Sequence, residues 1–119
     1  MQCIINMHCI IFLYNSVTST FVECNITNVP TVVCKIGNIV IVTVSGTLKT
    51  DIAAWGSVYL SHTAPKAKEQ RYNSLLISQD TTDPRILLSA TGTDIFIESK
   101  GPALNKYTWT FGQLVYACE

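Results

Sequence analysis

Charge is scarce in this chain of 119 residues. Charged residues make up 13% of it, about half of the usual quarter, and eight basic residues balance eight acidic ones. A chain without basic excess has little with which to neutralise phosphates, so nucleic-acid binding is not expected. There is no acidic tail either.

Catalytic motifs are also missing. Histidine occurs only at His8 and His62, and no GxSxG or comparable triad motif is present. Most carboxylates flank turns, where they cap or solvate, and they do not suggest the paired acids of a glycosidase. Asp80 and Asp83 in "DTTDP" offer oxygens to calcium but lack the ligand ladder of an EF-hand. We therefore predict a protein that is not an enzyme and binds no metal or other cofactor.

No CxxC pair occurs, which argues against a zinc knuckle. The five cysteines are Cys3, Cys9, Cys24, Cys34 and Cys118. In a reducing compartment they are small buried apolar residues, and this interpretation is favoured; in an oxidising one, two disulfides form and one thiol is left. Thiol titration under denaturing, non-reducing conditions separates the two, because five free thiols support the first and one supports the second.

The apolar start "MQCIINMHCIIFLY" lacks an early Lys or Arg and a following small-x-small cleavage site, so it fits a signal peptide poorly. Asn6 and His8 interrupt it, and a transmembrane helix needs roughly 20 apolar residues. We expect a strand that packs into the fold or against a neighbouring chain, without membrane insertion. We assign residues 1–30 to this segment and a lead-in strand, and residues 31–119 to a single β domain.

Sustained helical periodicity is absent, and short alternating runs take its place. In "KIGNIVIVTVSGTL" the Gly37-Asn38 pair predicts a two-residue hairpin turn, and Val40, Val42 and Val44 share one face that is expected to be core. The alternating "STFVECNI" supplies the lead-in strand. Further strands are predicted at residues 31–36, 39–46, 55–61, 74–78, 85–90, 94–98 and 106–117. The fold class predicted is all-β, an antiparallel two-sheet β-sandwich of jelly-roll type.

Aromatic residues are concentrated in a few stretches. In "YTWTFGQLVYA" their phase changes across Gly112, which predicts a β-bulge. Trp55, Tyr72, Tyr107 and Trp109 are candidate platforms for a sugar ring, although alternating aromatics in a strand are more typical of a core. The "NIT" triplet at residues 25–27 matches a glycosylation sequon.

The longest exposed loop is predicted at residues 61–73, and we regard it as a candidate ligand site. It carries His62, Lys66, Lys68, Arg71 and Tyr72, which combine charge, hydrogen-bond donors and one aromatic face. Long loops without structure of their own are often functional; the alternative is a solvated connector. Arg71 and Tyr72 are expected to be exposed, so replacing both by alanine is expected to leave folding intact.

The order of these motifs from Val33 to Ala117 resembles the C-terminal head domains of phage tail fibres and baseplate receptor-binding proteins. "VVCKIGNIVIVTVSGTL" resembles their Lys-x-Gly-Asn turn before a Val-rich strand that ends in Ser-Gly. "AAWGSVYLSHTAPKAKEQ", "RILLSATGTDIFIES" and "YTWTFGQLVYA" resemble the strand and loop, the later hairpin and the aromatic closing strand, in the same order.

The resemblance implies a receptor-binding adhesion module that recognises a host-surface saccharide or protein. It implies a homotrimer at the tail tip of the virion, extracellular after release and cytoplasmic during assembly. The apolar N-terminus independently predicts self-association, since soluble monomers rarely expose such a patch. Two other functions stay open: an assembly protein without a ligand, and a small secreted lectin-like or immune-type domain with two disulfides. A glycan array separates the first of these from a receptor-binding module.

Overall fold

The computed structural model describes residues 20–25, 28–79 and 83–119. Two expectations lie outside the described residues: the packing of the apolar N-terminal run with Cys3 and Cys9, and the later residues of the sequon. Asp80, weighed above as a calcium ligand and not favoured, lies outside them as well.

All regular secondary structure in the described residues is β-strand. The strands are β1 (Thr20–Asn25), β2 (Thr31–Ile36), β3 (Ile39–Thr47), β4 (Ser57–Ser61), β5 (Tyr72–Ser78), β6 (Ile86–Thr91), β7 (Asp94–Ser99) and β8 (Trp109–Ala117). The seven predicted strands and the lead-in strand are all present, and the all-β class is confirmed. Within this part of the chain, no helix of a length and apolarity sufficient to cross a membrane occurs.

The strands pair antiparallel in the order β1-β2-β3-β8-β5-β6-β7-β4 and form one sheet that curls into a half-barrel. β5 joins its two halves, because Leu76–Ser78 pair with β8 while Tyr72–Leu75 pair with β6. A division into two separate sheets is not confirmed. We call the β1-β2-β3-β8 side the first half and the β6-β7-β4 side the second half.

Two glycine turns set the hairpins. Gly37 and Gly92 each take the first place of a two-residue loop, with φ of 61° and 57°. Positive φ at that place alone is the pattern of a type II′ turn, whose twist matches that of the flanking strands. Asn38 does not have the positive φ that its residue type tolerates.

The core lies on the concave face of the sheet. Val40, Val42 and Val44 are fully buried there, as predicted. They meet residues of the second half in one cluster. Its members from β6 and β7 are Ile86, Leu88, Ala90, Ile95 and Ile97. The two halves therefore share a single core.

β2 is buried on both faces. Thr31 and Val33 lie opposite Val44 and Val42 and so face the core. Val32 and Cys34 point to the convex face and are also buried, as is Cys118 near the end of the chain.

The bulge predicted at Gly112 is wrong, since β3 and β8 stay in unbroken register from Ile39/Ala117 to Thr47/Trp109. Glycine is favoured there for a different reason. A side-chain carbon at Gly112 would lie 2.7 Å from Cδ1 of Leu76, at the point where β5 meets β8. The only register shift in the described ladders lies in β4, between Tyr59 and Ser61.

Candidate functional site

The connection from β4 to β5, residues 62–71, has a fixed course. The backbone N–H of Ala64 donates to Thr93 O at 3.0 Å, and that of Ala67 donates to Gly92 O at 2.8 Å. The Tyr116 hydroxyl donates to Pro65 O at 2.7 Å. These contacts hold the middle of the loop against the β6–β7 turn and the C-terminal strand.

The two lysines of the predicted site lie next to the C-terminal segment of the chain. Lys66 Nζ is 3.1 Å from a carboxylate oxygen of Glu119, and the backbone N–H of Lys68 donates to Ala117 O at 2.9 Å. The contacts described for both lysines are therefore with the C-terminal segment and not with His62.

Contrary to the expectation from the sequence, Tyr72 is not exposed. It is half-buried, packs against the core cluster, and its ring centroid lies 5.7 Å from that of Tyr116. The reason is strand alternation. Tyr72 is the first residue of β5 and pairs with the buried Ala90, so it points inward and Arg71 points outward.

The β4 bulge brings His62 onto the convex face beside Tyr59. In an unbroken strand, residues three apart would lie on opposite faces, and the extra residue restores the phase. The ring centroids of Tyr59 and His62 are 4.7 Å apart. His62 Nδ1 lies 2.9 Å from an oxygen of Asp94, the first residue of β7.

Phe96 and Arg71 extend this group across the sheet. The Phe96 ring centroid is 5.4 Å from that of Tyr59 on one side and 5.6 Å from the Arg71 guanidinium carbon on the other. Arg71 forms an ion pair with the nearly buried carboxylate of Glu98. We call this group the ring cluster: Tyr59, His62, Arg71, Asp94, Phe96 and Glu98.

Asn73 continues the cluster along β5. Its Oδ1 accepts hydrogen bonds from Arg71 Nε at 3.0 Å and from the Ser89 hydroxyl at 2.8 Å. Asn73 is exposed, and these two hydrogen bonds fix its side chain beside Arg71. Because its oxygen holds these donors, its amide nitrogen is directed elsewhere as a donor.

Both carboxylates of the ring cluster have a partner: Asp94 lies 2.9 Å from His62 Nδ1, and Glu98 forms an ion pair with Arg71, with Lys100 Nζ 3.8 Å away. Tyr59, on the edge strand β4, presents 44% of its surface to solvent. Among the described residues, no group of three or more potential metal-ligating side chains occurs. The cluster thus offers an aromatic face, planar polar groups and no unpaired cation.

Of the five predicted site residues, the structure brings His62 and Arg71 into one group and leaves Lys66, Lys68 and Tyr72 outside it. Sequence reasoning missed Tyr59, Asp94, Phe96 and Glu98. For the last three there was a signal, since residues 94, 96 and 98 of one strand share a face. No signal in the sequence indicated the β4 bulge, which brings Tyr59 and His62 to the same face.

A second surface lies on the convex face of β3, β8 and the end of β5. Six large apolar side chains there are between 41% and 54% exposed: Ile39, Leu75, Ile77, Trp109, Phe111 and Val115. We call them the apolar face. Trp109 and Phe111 stack with ring centroids 6.3 Å apart and planes 12° apart. The expectation that strand aromatics are core is therefore wrong for these two residues.

Trp55 and Tyr107, the other two candidate platforms, lie in turns and are more exposed still. Both have positive φ, 61° and 72°, which is uncommon for residues other than glycine, Asn and Asp. Neither makes a ring contact with the ring cluster.

No protein-family model matches this chain, and no curated protein matches it significantly.

Proposed function

We propose that this chain is a non-enzymatic receptor-binding module, and that the ring cluster binds a saccharide of a host cell surface. The observation that carries the proposal is the half-exposed Tyr59 ring, which contacts the His62 imidazole on one side and the Phe96 ring on the other. A pyranose needs an aromatic ring on which to stack its C–H face, and donors and acceptors around that ring for its hydroxyls. His62 supplies such groups next to Tyr59, and Arg71 and Asn73 supply them on the far side of Phe96.

Binding fits the cluster better than hydrolysis does. Asp94 and Glu98 lie four residues apart on one strand, which separates their backbones by about 13 Å. The carboxyl groups of glycosidases are about 5–9.5 Å apart. Both carboxylates are also held in ion pairs.

The pairing of these side chains narrows the class of ligand. A phosphorylated or strongly acidic saccharide would require an unpaired cation, and Arg71, the arginine of the cluster, already faces Glu98. We propose a neutral saccharide, recognised on an open surface.

The resemblance to phage head domains supplies the rest of the proposal. In it the two halves of the curled sheet correspond to the two layers of a jelly-roll-like sandwich. The module would lie at the tail tip of a virion as a homotrimer, extracellular after release and cytoplasmic during assembly.

A second function, assembly without a ligand, is favoured by the apolar face. An exposed apolar surface of this kind marks a contact with another molecule more often than it marks a sugar site.

A glycan array tests the proposal. We expect the wild-type chain to bind one class of neutral glycans, Tyr59→Ala to lose this binding, and Tyr59→Phe to retain most of it, because the ring is kept. Tyr107→Ala is the matched control, since it removes an exposed tyrosine outside the cluster. Unchanged binding by Tyr59→Ala at an unchanged thermal midpoint would place the site elsewhere. Binding of no glycan by the wild type would support the assembly function.

A further inference from the structure

The apolar face is continuous across three neighbouring strands. Phe111 lies opposite Ser45 on β3 and opposite Ile77 on β5. Four residues further along β8, past Gln113, Val115 pairs with Ile41. The six residues are therefore part of one surface, because direct cross-strand partners share a face of a sheet.

This surface carries no charge. The convex positions of β3 and β8 are occupied only by apolar, hydroxyl or amide side chains. They are Ile39, Ile41, Thr43, Ser45, Thr47, Trp109, Phe111, Gln113, Val115 and Ala117. The Gln113 amide nitrogen lies 3.4 Å from the Thr43 hydroxyl, so one polar pair is satisfied within the surface itself. Depletion of charge is characteristic of the central region of interfaces.

We infer that the apolar face is the interface through which this chain contacts a second copy of itself, sheet on sheet. A surface without charge needs a partner surface without charge, and a second copy provides one. The chain as a whole has a formal net charge of zero, so copies do not repel each other at long range. Two sheets pack face to face at about 10 Å through interdigitating side chains, and the large residues of this face are suited to that packing.

The dimensions agree with such a contact. β3 and β8 have nine residues each. They cover about 30 Å by about 10 Å, and the Leu76–Ser78 stretch of β5 that pairs with β8 brings the face to about 350 Å² in projection. Pleating and side chains raise the accessible area above the projection. Two copies therefore approach the roughly 1,000 Å² that a specific interface buries.

This inference is independent of the proposed saccharide site. The ring cluster lies on the second half of the sheet, and the apolar face includes no ring-cluster residue. An assembly built through the apolar face leaves Tyr59 and His62 accessible, so loss of one property does not entail loss of the other.

Light scattering coupled to size exclusion, on the full chain at micromolar concentration, tests the inference. We expect a defined particle of two or three chains. Phe111→Lys and, separately, Val115→Lys should convert it to a monomer, because each places a charge in the interface. Tyr107→Lys is the matched control, since it changes an exposed aromatic outside the face, and it should leave the particle intact.

Near-ultraviolet circular dichroism confirms that each variant is folded, and two variants are used so that one folding failure does not decide the result. A wild-type monomer would overturn the inference. An assembly that persists in both folded variants would overturn it as well, because another segment would then hold the copies together.

Discussion

The two halves of the convex surface are built on the same sheet and differ in almost every other respect. The first half exposes uncharged aliphatic and aromatic side chains, with Phe111 and Val115 open to solvent. On the second half, charged and aromatic side chains cover one another, so that Phe96 and Glu98 are nearly buried. β5 separates the two, because its outward residues change from Asn73 to Leu75 and Ile77.

This difference shows that a shared core constrains the inward residues of the sheet but not its outward residues. The inward residues of both halves are apolar because they meet in one cluster. The outward residues are under no such common requirement, and they divide into a surface suited to another sheet and a surface suited to a polar ligand. The fold alone therefore does not determine the function; the composition of the outward positions does.

The largest effect is expected for a substitution that unfolds the whole sheet and so abolishes both surfaces. Val42→Asp places a carboxylate in the core that the two halves share. An unpaired buried charge costs about 3–5 kcal/mol, a large part of the roughly 5–15 kcal/mol that stabilises a small domain. We expect no cooperative unfolding transition. The matched control is Thr43→Asp, one residue on and facing outward, which should fold but lose self-association. A cooperatively folded Val42→Asp would mean that the core is not continuous.

Arg71→Ala should affect the second half alone. It leaves the nearly buried Glu98 carboxylate without its main partner, with Lys100 Nζ at 3.8 Å. We expect the free energy of unfolding to fall by about 1–3 kcal/mol, with saccharide binding lost and self-association kept. Urea unfolding measures the first effect, and Lys68→Ala, on the same loop, is the control. Equal stability of the two variants would show that the Arg71–Glu98 pair does not hold the ring cluster.

Gly112→Ala tests the place where the halves join. The added carbon would lie 2.7 Å from Leu76 Cδ1, and Leu76 is buried with little room to move. Overpacking of this kind costs about 1–3 kcal/mol, and we expect the lower end because only one methyl group must shift. Adding Leu76→Val should relieve part of the cost. Strictly additive effects in urea unfolding would contradict the contact.

The smallest effect is a pH dependence at the turn into β6. Hydrogen bonds from the Arg85 side chain and backbone lower the pKa of the Asp83 carboxyl below its usual value of 3.8. A lowered pKa in the folded state stabilises the protein above pH 3.8 and loses this effect as the pH falls through the lower value. We expect Asp83→Asn to have a lower thermal midpoint than the wild type at pH 7. The difference should disappear toward pH 2; if it is constant with pH, the ion pair is not its cause.

The strands were predictable because their signals are local. The alternation of Val40, Val42 and Val44 and the glycines at 37 and 92 determine a strand and two turns without reference to distant residues. The all-β class follows from such signals. The pairing of β5 with both β8 and β6 does not, because it depends on contacts far apart in sequence.

The site was less predictable for the same reason. His62 and Arg71 were identified by residue type and by their loop, but their neighbours Phe96 and Glu98 come from a distant strand. Tyr72 was expected to be exposed because it ends a polar loop, whereas the alternation of side chains along β5 points it toward the core. Tyr72 packs on the core and Arg71 pairs with Glu98. We therefore expect the Arg71→Ala, Tyr72→Ala double variant to be destabilised, contrary to the expectation from the sequence. Gly112 suggested a bulge because the sequence does not show that Leu76 lies against it.

The most direct test of two surfaces with separate tasks is a set of ¹⁵N–¹H correlation spectra of the full chain. The spectra are recorded once on titration with a neutral glycan from the array and once on dilution. We predict that the glycan shifts the amide signals of Tyr59, His62 and Phe96, and that dilution shifts those of Ile77, Phe111 and Val115. Glycan-induced shifts confined to the apolar face, or dilution shifts centred on the ring cluster, would contradict the account.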